Sequence, residues 1–405
     1  MRERQYSFLF RGNRPSTPSA GNTAHDFARS CRKLDLSERV FGAFLAQIND
    51  VSSCVRIVQE FRAVENEAQR WDLIAEEANS PMHQYAWVKA CTDAFATCGE
   101  LQLIVVGADQ PRALGPFIMR SGPLNRMECL GVAELYEPTD FPYSDFDSLA
   151  CLIDALVRLR RPLLLRRVPA DSPVLNALKE ALKSRGVLIT RAATGYPWIQ
   201  LDASWTQPEE KLSASRRSSF RRARRKAHSF GPIDYEVLLP RPHELPPLLA
   251  ESFRVEAAGW KGRTGSALLS DPHRRQFYEK YATIASEKGI LRLSFMRIGG
   301  EVAATQIAVE SGGRFWLLKV GYDERFARCS PGHLLMVETL RYAAERGLRT
   351  FEFLGSAEPW TQVWTTDVRP CVSVWAYPNN FRGLAAFSWD AVRFGWERLH
   401  RHFSV

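Results

Sequence analysis

Around residue 330 the chain runs Cys329-Ser330-Pro331-Gly332-His333, leaving one apolar run and entering the next. A helix that starts here presents unpaired N–H groups and the positive end of its dipole, which together attract phosphates and carboxylates. Gly332 lets an anion approach the backbone, Ser330 offers a cap, and Pro331 pre-sets the turn. His333 is the histidine of this junction. Just upstream, Lys319 stands among apolar neighbours in "FWLLKVGY", where an unmatched ammonium is costly, so a substrate carboxylate or phosphate is a natural partner. Tyr322 and Asp323 follow at the strand end, the phenol able to protonate a leaving group. Two carboxylates are candidates for a general base. In "FEFLG" the strand period sets Glu352 on the face opposite Phe351 and Phe353, close to Gly355. Glu256 precedes Trp260-Lys261-Gly262 by four residues, and Trp260 and Lys261 are candidates to anchor substrate.

Each of these residues also has a plainer use. Glu352 can pair with an arginine at the sheet surface, Glu256 can form a helix salt bridge, and Lys319 can guard a sheet edge. Tyr322 and Asp323 fit an ordinary turn, Lys261 a solvated surface, and His333 the exposed first turn of a helix. Cys329 is a lone cysteine beside a turn, a weak signal for a covalent acyl-enzyme. The eight histidines show no HxxxH or His/Cys spacing, so no metal is expected, and neither GxSxG nor a Ser/His/Asp arrangement occurs.

The elements that must position these groups are legible from periodicity and punctuation. Residues 1–55, rich in Pro, Ser, Gly and Asn near the start, read as a flexible arm. From Glu65 two helices ("ENEAQRWDLIAEEAN", "YAWVKACTDAF") lead into a strand pair around Asp109-Gln110-Pro111, a strand near "RMECLGV" and an irregular aromatic-rich stretch, Tyr136 to Phe146. Helix, strand, a helix capped by Asp171 or Ser172, and a last strand complete a half spanning 56–205. The second half, 231–405, repeats the order. It has a helix around "HELPPLLAESFRVEAAG", one capped at Ser270 or Asp271 with Pro272 in its first turn, three strands separated by Gly299-Gly300 and Gly312-Gly313, the helix after Pro331, the strand "TFEFLG", a later strand "CVSVWAY" and a C-terminal helix.

The net charge of +9 is concentrated. "KLSASRRSSFRRARRK", Lys211 to Lys226, holds eight Lys or Arg and no acid, so the rest of the chain is close to neutral. With Phe220, Ala223, Ala227 and Phe230 three or four apart, residues 206–230 read as a basic linker helix with a narrow apolar stripe. Arg216 to Lys226 then offer a landing surface for an anionic partner: coenzyme phosphates, an acidic polysaccharide, tRNA or anionic lipid. Base stacking is poorly supported, because few aromatics interleave with the arginines. The chain shows no apolar run long enough for a membrane span, no leader-like N-terminus, and eight cysteines with no CxxC, so a reduced, cytoplasmic setting is expected.

The segments "EAAGWKGRTGSAL", "FYEKYATIASEKGILRLSFMRIGGEVAA", "KVGYDERFARCSPGHLLM" and "FEFLGSAEPWTQVW" resemble the CelD/BcsL-type acetyltransferase domain of the GNAT superfamily. That domain is a cousin of the Fem peptidyltransferases, which are built from two tandem GNAT-like halves. The resemblance runs closely from about Glu251 to Trp364 and more loosely before. It implies an α+β fold (an α/β sandwich) of two tandem GNAT-like domains, each a mixed, mostly antiparallel sheet flanked by helices. It implies acetyl-CoA or another acyl-CoA as donor, an amine or hydroxyl acceptor of small-molecule or saccharide kind, and a place in polysaccharide or cell-envelope biosynthesis. By the same resemblance Val320, Gly321, Ser330, Gly332 and His333 hold the donor, backbone N–H groups of Lys319 to Tyr322 polarise its carbonyl, and Glu352 or Glu256 takes the acceptor's proton. Leu334 stands where the superfamily loop has a second small residue, and is expected to crowd a pyrophosphate. Two rival readings go with this one: a Fem-like transferase using aminoacyl-tRNA, and a catalytically inactive GNAT-fold module that binds an anionic polymer.

Overall fold

The computed structural model describes residues 55–77 and 80–403; the expected arm, but for Val55, lies outside them. In chain order the first elements are β1 (Val55–Val58), α1 (Ala68–Glu77), α2 (Tyr85–Phe95), β2 (Gly99–Val106), β3 (Ala113–Arg120), β4 (Met127–Cys129), α3 (Val132–Leu135), α4 (Phe146–Arg158), β5 (Leu163–Pro169), α5 (Pro173–Leu182) and β6 (Gly186–Gln200). Then follow α6 (Ala214–His228), β7 (Ile233–Leu238), α7 (Leu245–Ala257), α8 (Trp260–Arg263), α9 (Pro272–Glu287), β8 (Leu291–Ile298), β9 (Glu301–Ser311), β10 (Arg314–Tyr322), α10 (Pro331–Glu345), β11 (Thr350–Glu352), β12 (Val368–Pro378) and α11 (Phe381–Phe403). Among the described residues helices flank a twelve-stranded sheet of order β1-β2-β3-β4-β5-β12-β6-β11-β10-β9-β8-β7. Its pairs are antiparallel except β4 with β5 and β10 with β11.

Local chemistry explains most boundaries. Ser172 caps α5, Ser213 caps α6 and Asp271 caps α9, each side chain accepting a backbone N–H of the first turn. Gly299-Gly300 and Gly312-Gly313 have φ of 60° and 83°, and of 58° and 69°, the left-handed pair that a two-residue hairpin needs and that glycine adopts without strain. They turn β8, β9 and β10 into a continuous meander whose core-facing residues, such as Leu293, Ile307 and Phe315, are fully enclosed.

One strand lies away from its neighbours in sequence. β12, which the sequence places after the second half's strands, sits between β5 and β6. β6 in turn pairs with β12 up to Pro197 and then with β11 over Trp198 to Gln200. Period and composition identify β12 as a strand, but its partners are set by tertiary packing.

Candidate active site

The cavity forms where β10 and β11 part. They pair in parallel only over Arg314 to Trp316 and Thr350 to Glu352. A bulge at Leu318 shifts the register of β10 against β9, and Leu354 and Gly355, at φ of 56° and 55°, turn the other strand aside. A left-handed leucine costs about 1–2 kcal/mol, strain held by the surrounding packing. The resulting wedge is a cavity of about 690 Å³. Its walls are Leu317 to Tyr322 on one strand, Phe353, Gly355 and Ser356 on the other, and Ser330, Pro331, Gly332 and His333 at the start of α10.

At that start Ser330 is left-handed (φ 47°) and its hydroxyl caps nothing, contrary to the cap expected of it. Gly332 has ordinary helical backbone, and a Cβ built on it meets nothing closer than Tyr322 Cδ1 at 4.0 Å. Packing therefore does not require a glycine here. Leu334 is fully buried in the core beneath the helix and is absent from the cavity wall, so the expected clash with a bound anion does not arise. His333 lines the cavity beside Phe220 and Trp364, and burial, then Arg216, lowers its pKa.

Opposite this helix start lies a cluster of charges. The end of α7 is pressed against β10 because two positions are glycine: a Cβ on Gly321 would lie 2.7 Å from Glu256 Cα, and one on Gly259 would lie 2.8 Å from Tyr322 O. That approach delivers Glu256, only 4% exposed, to the cavity. Its Oε2 accepts Leu268 N–H at 2.9 Å, and its Oε1 accepts Lys261 Nζ at 3.1 Å and lies 3.8 Å from Lys319 Nζ. Lys261 also donates to the Val320 carbonyl at 2.8 Å. Burial, then the neighbouring Lys261 ammonium, pushes Lys319 down to about 8 against the pull of Glu256 and Glu137.

Residues 214–362 match the family model described as an acetyltransferase (GNAT) domain. Over this stretch the chain is similar to GNAT domains. In fold the chain is similar to the crystal structure of FemX, with a TM-score of 0.52 at 13% identity over 77% of this chain and 96% of that one. It is also similar to the C-terminal domain of an Agrobacterium fabrum protein named as a lysylphosphatidylglycerol synthetase, with a TM-score of 0.50 at 11% identity over 81% of this chain and 95% of that one. At such identities the likeness is one of fold. No curated protein matches the chain by sequence.

Within the matched stretch the wedge gathers Glu256, Trp260, Lys261, Lys319, Val320, Gly321, Tyr322, Ser330, Gly332 and His333. Trp260 is 47% exposed at the rim. Three other candidates are placed elsewhere. Glu352 is fully buried away from the wall, its carboxylate taking two hydrogen bonds from Arg369 at 2.8 and 2.9 Å, one from Thr350 at 2.8 Å and one from Arg314 at 3.5 Å. The strand period does put it opposite Phe353, but Phe353 is the residue that faces the cavity. Asp323 caps the 3-10 turn Glu324–Cys329 by accepting Arg325 N–H and is closed by the Arg325 guanidinium, which leaves it no substrate contact. Cys329 is fully buried and does not line the wall.

The cavity also holds residues that no motif in the sequence marks. Gln306 is buried with its Oε1 unpaired among the described residues, and Thr305 bonds Ser252 at 2.9 Å. From the first half come Tyr136, Glu137, Arg167 and Thr194. The aromatic-rich stretch beginning at Tyr136 was the available signal, without a periodicity to say which way it faces. Among the described residues no group of three or more His, Cys, Asp or Glu is placed to hold a metal, and no helix is long and apolar enough to cross a membrane.

Proposed function

We propose that the protein transfers an acyl group from an acyl-CoA to an amine or hydroxyl acceptor in the wedge between β10 and β11. The observation that carries this reading is Gly332, a glycine at a helix start that no packing contact demands, facing a cavity rather than the core. Such a position suits the backbone approach of a pyrophosphate to a helix N-terminus. The unpaired Gln306 Oε1 further along the wall suits an amide N–H of an extended donor arm. An acyl-CoA, when bound, supplies an activated carbonyl. Ser330 to His333 would hold its phosphates, and the edge of β10 around Val320 and Gly321 would orient the acyl end. Lys261 keeps that edge in place through the Val320 carbonyl, while Tyr322, next to Gly332, would flank the phosphate end of the donor and not its sulfur. The resemblance of residues 251–364 to CelD/BcsL-type domains favours a saccharide-like or other small-molecule acceptor in envelope or polysaccharide synthesis.

Thermal shift with acetyl-CoA and longer acyl-CoA species tests the donor. At a ligand concentration a hundredfold above Kd, stabilisation of about 2.7 kcal/mol is expected, a rise of several degrees in Tm. Gly332→Val should keep the melting temperature of the free protein and lose that rise. An unchanged Tm at millimolar concentrations of every acyl-CoA would overturn the reading.

A second reading, transfer from an aminoacyl-tRNA, rests on α6. Arg216, Arg221, Arg222, Arg225 and Lys226 are exposed there without an acidic partner among the described residues, and the helix lies against the start of α10 through Phe220 and His333. Copurification of nuclease-sensitive RNA with the protein, lost on replacing these side chains by glutamine, would favour it.

A further inference from the structure

Among the described residues three carboxylates line the wedge, and two of them are engaged. Glu256 is closed by Lys261 and Leu268 N–H with Lys319 nearby, and Glu358 accepts Trp360 Nε1 at 3.1 Å and the Ser356 hydroxyl at 3.2 Å. The third, Glu137, is only 9% exposed, and its Oε2 is enclosed without a hydrogen-bond partner among the described residues. A buried carboxylate oxygen left unpaired is costly, and a cavity wall is where a ligand's N–H or O–H can relieve that cost.

The chain invests in holding Glu137 there. It follows Tyr136, a left-handed residue (φ 57°) that ends the short α3. Arg167, fully buried and itself left-handed (φ 51°), donates to the Tyr136 carbonyl, to Thr194 O at 3.1 Å and to Gly355 O at 2.7 Å. Its guanidinium also lies 4.9 Å from the Tyr136 ring centroid. One side chain thus ties the segment bearing Glu137 to the strand end where the wedge opens. With three of its five N–H donors held by carbonyls on three different segments, Arg167 acts as a positioning residue.

We propose that Glu137, contributed by the first half of the chain, is the catalytic base that takes the proton from the acceptor's attacking N–H or O–H. This rests on the acyl-transfer reading. As the acceptor's nitrogen or oxygen forms its bond to the acyl carbon, its proton passes to Glu137 Oε2, and the C–S bond of the thioester donor breaks with its electron pair going to sulfur. The proton then returns to the departing thiolate or to water, which restores the carboxylate. The charges facing Glu137 are Arg167 from β5 and Lys319 from β10, with Tyr278 from α9 coupled to it and Glu256 and Lys261 beyond. Burial outweighs the two cations and raises its pKa to about 7, within the range in which a carboxylate both accepts and returns a proton at neutral pH.

Glu137→Gln tests this through three measurements on the full chain. Acetyl-CoA should still raise Tm as in the wild type. Thiol release from acetyl-CoA, with water or with a panel of primary amines and alcohols as acceptor, should fall about 100-fold or more at pH 8, and the acidic limb of the wild-type pH profile should vanish. In protein labelled with carboxyl-13C glutamate, one resonance should titrate near pH 7 and be missing from the variant. A variant within threefold of wild type with the limb intact would overturn the proposal. So would the absence of that resonance, or a wild type that binds acetyl-CoA yet releases no thiol with any acceptor. Failure of acetyl-CoA to bind the wild type, with the resonance present, would instead count against the donor reading.

Discussion

Glu352 and Glu137 are both buried glutamates, and their surroundings give them opposite uses. Glu352 meets two arginines and a threonine hydroxyl, so its charge is matched and removing it would strand Arg369 and Arg314. Glu137 has Arg167 and Lys319 as its electrostatic partners but accepts no hydrogen bond at Oε2 among the described residues, so the fold bears part of the cost of its charge. That cost has a sign that pH reveals. With a pKa of 4.5 in the unfolded chain and about 7 in the folded one, the native state keeps a proton that the unfolded state has lost throughout the interval between. Stability from this group therefore falls as pH rises from 4.5 to 7, at about 1.4 kcal/mol per pH unit in the middle of the range, and stays lower above it. Glu137→Gln removes the dependence. The variant should melt with the wild type near pH 4 and several degrees above it at pH 8, read by thermal denaturation across that range. A difference that is constant with pH, or largest in acid, would contradict the electrostatic account of this residue.

At the scale of elements, the site depends on how closely α7 approaches β10. Gly321 and Gly259 make that approach sterically open, and Gly332 serves no comparable contact. Gly321→Ala places a methyl 2.7 Å from Glu256 Cα, so α7 must shift or the strand must bend, at a cost of about 1–3 kcal/mol. The expected result is a lower Tm together with weakened acyl-CoA stabilisation, because Glu256, Lys261 and the Val320 carbonyl move as one unit. Gly332→Ala should leave Tm of the free protein within a degree. Equal destabilisation by the two changes would show that Gly332 also has a packing role. These elements were legible from sequence where their cause is local: the glycine pairs of the meander, the caps of α5 and α9, and the Ser-Pro-Gly start of α10. The bulge at Leu318 and the left-handed Leu354 have no such signal, since each arises from a strand being drawn away from a neighbour distant in sequence. The place of Glu352 has the same cause. The two-residue period gave its face, but not which face meets the cavity, and that depends on Arg369 arriving from β12.

For the whole molecule, the exchange of β12 into the first half's sheet decides whether the halves can be separated. β12 pairs along ten residues of β6 and five of β5, and β6 reaches across to β11. A fragment ending before Val368 would leave β5 and β6 as two unpaired edges flanking a gap, with Leu164 and Ile189 stripped of the cover of Trp375. A fragment starting at 206 would expose β12 and the free edge of β11, and it would also lack Glu137 and Arg167. We therefore expect neither 55–367 nor 206–405 to give a cooperative melting transition alone. Coexpressed, the two pieces 55–205 and 206–405 should associate and recover both the transition and any acyl-CoA stabilisation, because the cut, at the end of the 3-10 turn Ala203–Thr206 between β6 and α6, breaks no sheet pair. A well-folded, acyl-CoA-binding 206–405 fragment would mean that the second half builds its wedge unaided. The first half's wall of the cavity would then be dispensable for binding, although the proton-accepting role argued for Glu137 would still require it.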